Sequence, residues 1–107
     1  MTELRCIVPV AAGAFAAADG GARWKFHGAL TMDGAAAALE AADALPLPST
    51  GVVDFSGLLQ ADSAALAVII ALKRRARAER HPLTFAGLPA TLMSLAVAYG
   101  IDGLVAA

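Results

Sequence analysis

The chain has 107 residues and a single cysteine, Cys6, so it cannot form a disulfide within itself, and a reducing compartment is expected. Cys6 sits in an apolar stretch, which suits an inert thiol better than a reactive one. Neither sign of charge dominates. With a formal net charge of −1, nothing general draws the chain to nucleic acid or to an anionic membrane. Long apolar runs are also missing. The 59% hydrophobic share is in large part alanine. The longest apolar run inside a helical pattern, residues 64–72, is far short of the ~20 residues a spanning helix needs. Residues 6–18 do contain Ala14-Phe15-Ala16, a cleavage-like pattern. However, Glu3 accompanies Arg5 ahead of it, and Pro9 and Gly13 interrupt any apolar helix. Neither a signal peptide nor direct membrane insertion is expected.

Catalytic constellations are absent in the same way. His27 and His81 fall on different elements, with no companion cysteine or carboxylate at metal-ligand spacing. The glycine pairs and Lys73 do not fit a phosphate-binding loop. Ser63 lacks the glycine context of an elbow nucleophile. Asp54 and Asp62 both lie near one end of the expected sheet, but a carboxylate pair alone does not make a hydrolase. The expectation is no catalytic residue, no metal and no cofactor, hence no enzyme.

What is present centres on residues 52–80. A β-rich run, 52–56, passes through a short loop, 57–61, into a long helical pattern opened by Asp62 and Ser63. Asp is a preferred N-cap, because its carboxylate accepts hydrogen bonds from the free amides of the first turn. Ser63 then stands on that turn, in the positive field of the helix dipole and beyond the carboxyl end of a strand, where open α/β sheets place functional surfaces.

Before this unit, residues 4–10 read as a strand with Pro9 suited to an edge. Residues 11–22 imply a turn and a short strand around Phe15. Residues 23–27 alternate, with Trp24 and Phe26 on one face and Arg23, Lys25 and His27 on the other. Residues 28–32 read as a loop. Asp33 is placed to cap a helix running to about residue 44, with Leu39, Ala42 and Leu45 as its apolar stripe. Residues 52–55 are nearly continuous in apolar character, as in a buried central strand. After the long helix comes a strand at 83–86. Pro89 suits the first position of a last helix, whose stripe of Leu92, Leu95, Ala96 and Tyr99 is closed by Gly100. Residues 101–105 are expected to tuck against the core. Strand–helix–strand units return parallel while the early hairpin is antiparallel. The fold class is therefore α/β, a small mixed β-sheet flanked by helices in one domain spanning 1–107.

At ~100° per residue, Ala65, Val68, Ile69, Leu72 and Ala76 share one uncharged arc of the long helix, its core face. Leu66 and Ile70 point toward the side that also carries Lys73 and Arg77, with Ser63 nearby. Two readings stay open. Either the helix is sunk deeper at its start, or Asp62, Ser63, Leu66 and Ile70 form a partner-binding patch. The basic residues Lys73, Arg74, Arg75, Arg77 and Arg80 crowd the second half of the helix. They read as a solvated face matched to the dipole or as a surface for an acidic partner. No aromatic residues interleave with them to stack bases.

Val53-Asp54-Phe55-Ser56, the short loop, and Ala61-Asp62-Ser63-Ala64-Ala65-Leu66 resemble the signature of STAS domains, the anti-sigma-factor-antagonist type of fold. Pro82-Leu83-Thr84-Phe85-Ala86-Gly87-Leu88-Pro89, with Leu92, Leu95 and Ala98-Tyr99-Gly100-Ile101, is similar to the MlaB-like members. These are small subunits of the bacterial ABC transporter that maintains outer-membrane lipid asymmetry. The similarity covers about 24–105. It implies a role in binding and supporting the transporter's cytoplasmic ATPase subunit, through the corner matching Asp62 and Ser63. It also implies a cytoplasmic place beside the inner membrane, held there by that complex.

Phosphoregulated antagonists of the family favour Gly where this chain has Ala65 and Ala67, and a Ser pair where it has Ser63-Ala64. An anti-sigma-factor antagonist phosphorylated at Ser63 is nonetheless the alternative reading. A third is a small-ligand or lipid-binding module acting alone, for which no polar constellation suits a head group. Self-association through the patch also stays open.

Overall fold

The computed structural model describes residues 13–101 and 103. The strand expected at 4–10, Cys6 and most of the expected tail after 101 lie outside the described residues. Among the described residues, four strands form one sheet in chain order: β1 (Ala14–Ala18), β2 (Arg23–Leu30), β3 (Val52–Ala61) and β4 (Thr84–Ala86). β1 and β2 pair antiparallel across a tight turn at Asp19–Gly21, whereas β2–β3 and β3–β4 are parallel. The parallel returns run through α1 (Ala35–Asp43) and α2 (Ser63–Ala78), and α3 (Ala90–Ala98) follows β4. This is the mixed sheet that the strand–helix order implied.

Strand alternation decides which sheet face is covered. Trp24, Phe26, Val53 and Phe55 are at most 1% exposed and join one core with Ala38 and Ala42 of α1 and Ala65, Ile69 and Leu72 of α2. One phenylalanine from each strand forms a row across the sheet. Phe15 and Phe26 lie 4.8 Å apart, Phe26 and Phe55 5.7 Å, and Phe55 and Phe85 5.8 Å. Ring pairs at such spacings add ~0.5–1.5 kcal/mol each beyond their buried area. Among the described residues the other face carries Lys25, His27, Ser56 and Thr84, all exposed. β3 is thus buried on one face only, and its apolar run 52–55 overstated the burial.

Both central strands run on where loops were expected. Residues 28–30 continue β2 and residues 57–61 continue β3, with His27 opposite Gly57 and Leu30 opposite Ala61. Two register shifts, between Lys25 and His27 and between Gly28 and Ala29, bend the ladder without ending it. Gly57 is there because β2 comes close: a Cβ at this position would lie 2.6 Å from the Phe26 carbonyl oxygen. In sequence the same glycine reads as punctuation.

Helix α1 begins at Gly34 without a side-chain cap, so Asp33 does not cap it. The Thr31 carbonyl accepts from the amides of Gly34 and Ala35 at 3.1 and 2.9 Å, which closes the turn by backbone alone. The far end of α1 is finished by Arg75 of α2. Its guanidinium donates to the carbonyls of Ala42 and Leu45 and pairs with Glu79 at 2.9 Å. Arg75 also lies over the Trp24 ring, so it is a clasp between helices rather than part of a solvated face. Pro89 occupies the N-cap of α3 rather than its first turn. Leu92 and Ala96 are buried, but Tyr99 is 59% exposed and leaves the expected stripe.

Candidate functional site

At the carboxyl ends of β2 and β3 the chain makes two neighbouring turns, 31–34 into α1 and 61–63 into α2. Asp62 joins them. Its Oδ1 accepts from the Ala64 amide at 2.8 Å, capping α2 as the sequence implied. Its Oδ2 accepts from the Met32 amide at 3.0 Å, across to the other turn. One carboxylate therefore fixes both the start of the long helix and the loop beside it.

Ser63 follows directly, exposed on the first turn of α2. Met32 lies at the turn that Asp62 ties to this helix start. Met32 is 76% exposed and Leu59, near the end of β3, is 61% exposed. Beside Leu59, a shallow cavity of about 300 Å³ separates the end of β3 from the start of α3 and is floored by Leu58, Ala61, Leu92 and Leu95. Sequence reasoning missed Met32 and Leu59. Reading 28–32 and 57–61 as loops hid that Leu59 belongs to β3 and that Met32 follows close on β2.

The other two patch candidates part company. Leu66 is 2% exposed and belongs to the core, together with Ala65, Val68, Ile69, Leu72 and Ala76 of the expected core face. It is removed from the surface patch because α2 is sunk deeper at its start, the first of the two readings left open. Ile70 is half-buried and keeps an outward edge. By helix angle it shares a stripe with Ser63 and the exposed Ala67, Arg74 and Arg77. Ser63 and Ile70 thus mark one continuous face of α2, about two turns apart.

The motif's earlier acid, Asp54, lies on the open sheet face rather than in the corner. The Ser56 amide at 2.8 Å and the Ser56 hydroxyl hold its carboxyl below the usual range against the opposing effect of burial, and the charges of Arg23, at 3.2 Å, and Lys25 add lesser lowering. Asp62 is occupied by two amides, and His27 and His81 lie on other elements. The corner therefore offers a fixed polar tip with an exposed methionine beside it, which suits a protein surface.

Residues 14–106 match the family model described as Mlab, STAS domain. Among the described residues the match takes in every strand and helix named above, reaching back through β1. No curated protein matches the chain.

Proposed function

Because the chain belongs to the Mlab-type STAS domain family, we propose that it is a non-catalytic accessory subunit of a phospholipid-transport ABC transporter of the outer-membrane lipid-asymmetry kind. It binds and supports the cytoplasmic ATPase subunit of that transporter. STAS domains are generally non-catalytic protein-interaction modules. The reading takes the chain as one such domain, docked by its α2 corner and held at the inner membrane through its partner. Among the described residues, no helix is long and apolar enough to cross a membrane.

The observation that carries the reading is the corner itself. Ser63 is exposed on a helix tip that Asp62 clamps to the neighbouring turn, where Met32 faces solvent. A large apolar side chain exposed beside a rigid tip suits burial under another protein. Rigidity matters because the patch loses little freedom on docking. Purifying the protein from its native cell should bring a P-loop ATPase with it. Recovery of a sigma-regulating kinase in its place would overturn the assignment.

That kinase belongs to the second reading, an anti-sigma-factor antagonist switched at Ser63. An exposed hydroxyl on the first turn of a helix favours it, since the dipole tolerates the added charge of about −1.5 to −2 that a docked apolar partner would not. Intact mass after incubation with ATP and cell extract decides the point. A single phosphoryl adduct, absent in Ser63→Ala, supports the switch, and an unmodified mass under every growth condition removes it.

A further inference from the structure

The chain carries three methionines, Met1, Met32 and Met93. Met93, on α3, is half-buried and packs against the core, whereas Met32 is 76% exposed. Among the described residues no large apolar side chain is more open to water. The backbone around it is nevertheless fixed. The Met32 amide donates to Asp62 Oδ2 at 3.0 Å, and the Thr31 carbonyl before it accepts from the amides of Gly34 and Ala35. A thioether is thus held out in solvent on a turn that is tied to the start of α2. Taking the Ser63 corner as the docking surface, a reading on which this inference rests, we propose that Met32 is a site of reversible oxidation. Hydrogen peroxide converts its thioether to the sulfoxide and thereby loosens the partner's hold.

The chemistry is an oxygen-atom transfer that the two reactants balance between them. The O–O bond of the peroxide breaks as an S–O bond forms. Sulfur gives up two electrons, and the reduced peroxide leaves as water, carrying both of its hydrogens. The step needs only a path to the sulfur. Met32 offers one in the free subunit, while packing restricts the approach to Met93. Reduction of the sulfoxide by the methionine sulfoxide reductases, one enzyme for each epimer, restores the thioether.

The effect on docking follows from what the side chain becomes. An unbranched, polarisable thioether fits itself to an irregular apolar surface, which is why methionine serves well at contacts between proteins. The sulfoxide is polar and chiral, and it disrupts contacts of this kind. Its oxygen is stripped of water under a docked partner and weakens binding unless it meets a donor. Asp62, already the acceptor of two amides, does not supply one. The fold itself is not at stake. The bonds that hold the turn run through the backbone and the Asp62 carboxylate, so the sulfoxide changes the contact surface and leaves its frame in place.

The test treats the native protein with hydrogen peroxide and then with a thiol reductant, which returns Cys6 to its thiol and leaves sulfoxides untouched. Peptide mass spectrometry should find the added oxygen on Met32 ahead of Met93. Calorimetry against the purified transporter ATPase subunit should show affinity lowered about tenfold, at an unchanged urea midpoint. Treatment with both sulfoxide reductases should bring it back. In Met32→Leu, peroxide should leave the affinity at the value of the untreated variant. Oxidation of Met93 first overturns the proposal, as does equal affinity of the oxidised and reduced native proteins. The same loss in Met32→Leu, or a loss that tracks a fallen urea midpoint, also overturns it. Failure of the untreated native protein to bind the subunit overturns the docking reading itself, and this inference with it.

Discussion

Asp62 holds two turns with one side chain, and its removal should be felt at both. Asp62→Ala leaves the Ala64 and Met32 amides without their acceptor. It is expected to lower unfolding stability by ~1–2 kcal/mol, the usual cost of losing a helix N-cap. Asp62→Asn, which keeps a capping oxygen, should recover most of this in a urea titration. Asp54 gives a pH signature. Its folded carboxyl titrates below the ordinary value of 3.8, chiefly through the Ser56 amide. The charged form is thus favoured by folding, and the stability it contributes is fully present above that ordinary value. It is lost as pH falls through the depressed folded value. Unfolding curves across the acid range should show this loss in the native protein and a shallower acid limb in Asp54→Asn. The Asp62 cap was legible because an acid stood directly before a serine and an apolar run. The positive φ of 53° at Arg80 was not, because an arginine carries no outward mark of that backbone state. At the matching place after α3 the chain uses Gly100, and there the sequence announces the helix end.

Helix α2 is the element on which the sequence was most informative and most ambiguous. Its five-residue core face follows from the 3.6-residue period and is wholly buried. Leu66 could not be placed by angle, since depth of burial depends on what lies beneath, and here the sheet draws the first turns of the helix inward. Leu66→Ala should therefore cost ~2–5 kcal/mol in stability, as expected for a buried leucine truncated to leave a cavity. A change within ~0.5 kcal/mol, usual for surface sites, would return Leu66 to the exterior. The strands show a different limit. Their extension through residues 28–30 and 57–61 depends on close approach at Gly57 and on two register shifts, all of which are properties of the pair. The basic half of α2 divides by geometry as well. Arg75 clasps α1 and Lys73 reaches β4, which leaves Arg74 and Arg77 as the outward charges.

Over the whole molecule, one face of a mixed sheet carries the helices, and the carboxyl ends of its central strands carry the corner. Strand–helix alternation was enough to read that plan, and the motif around Asp62 and Ser63 was enough to read the family. The exposure of Met32 and Leu59 could be read only once the sheet was assembled, because both fall in stretches that read as loops. The account rests on a protein partner covering this corner, and Ser63→Arg probes it most directly. The exposed position should accept the larger side chain, so the urea midpoint should match that of the native protein. The measurement is the affinity of the purified transporter ATPase subunit for both forms by calorimetry. Binding by the native chain and a loss of at least about tenfold in the variant, from a bulky cation placed in an apolar contact, is the predicted result. Equal affinity in two equally stable proteins would contradict it.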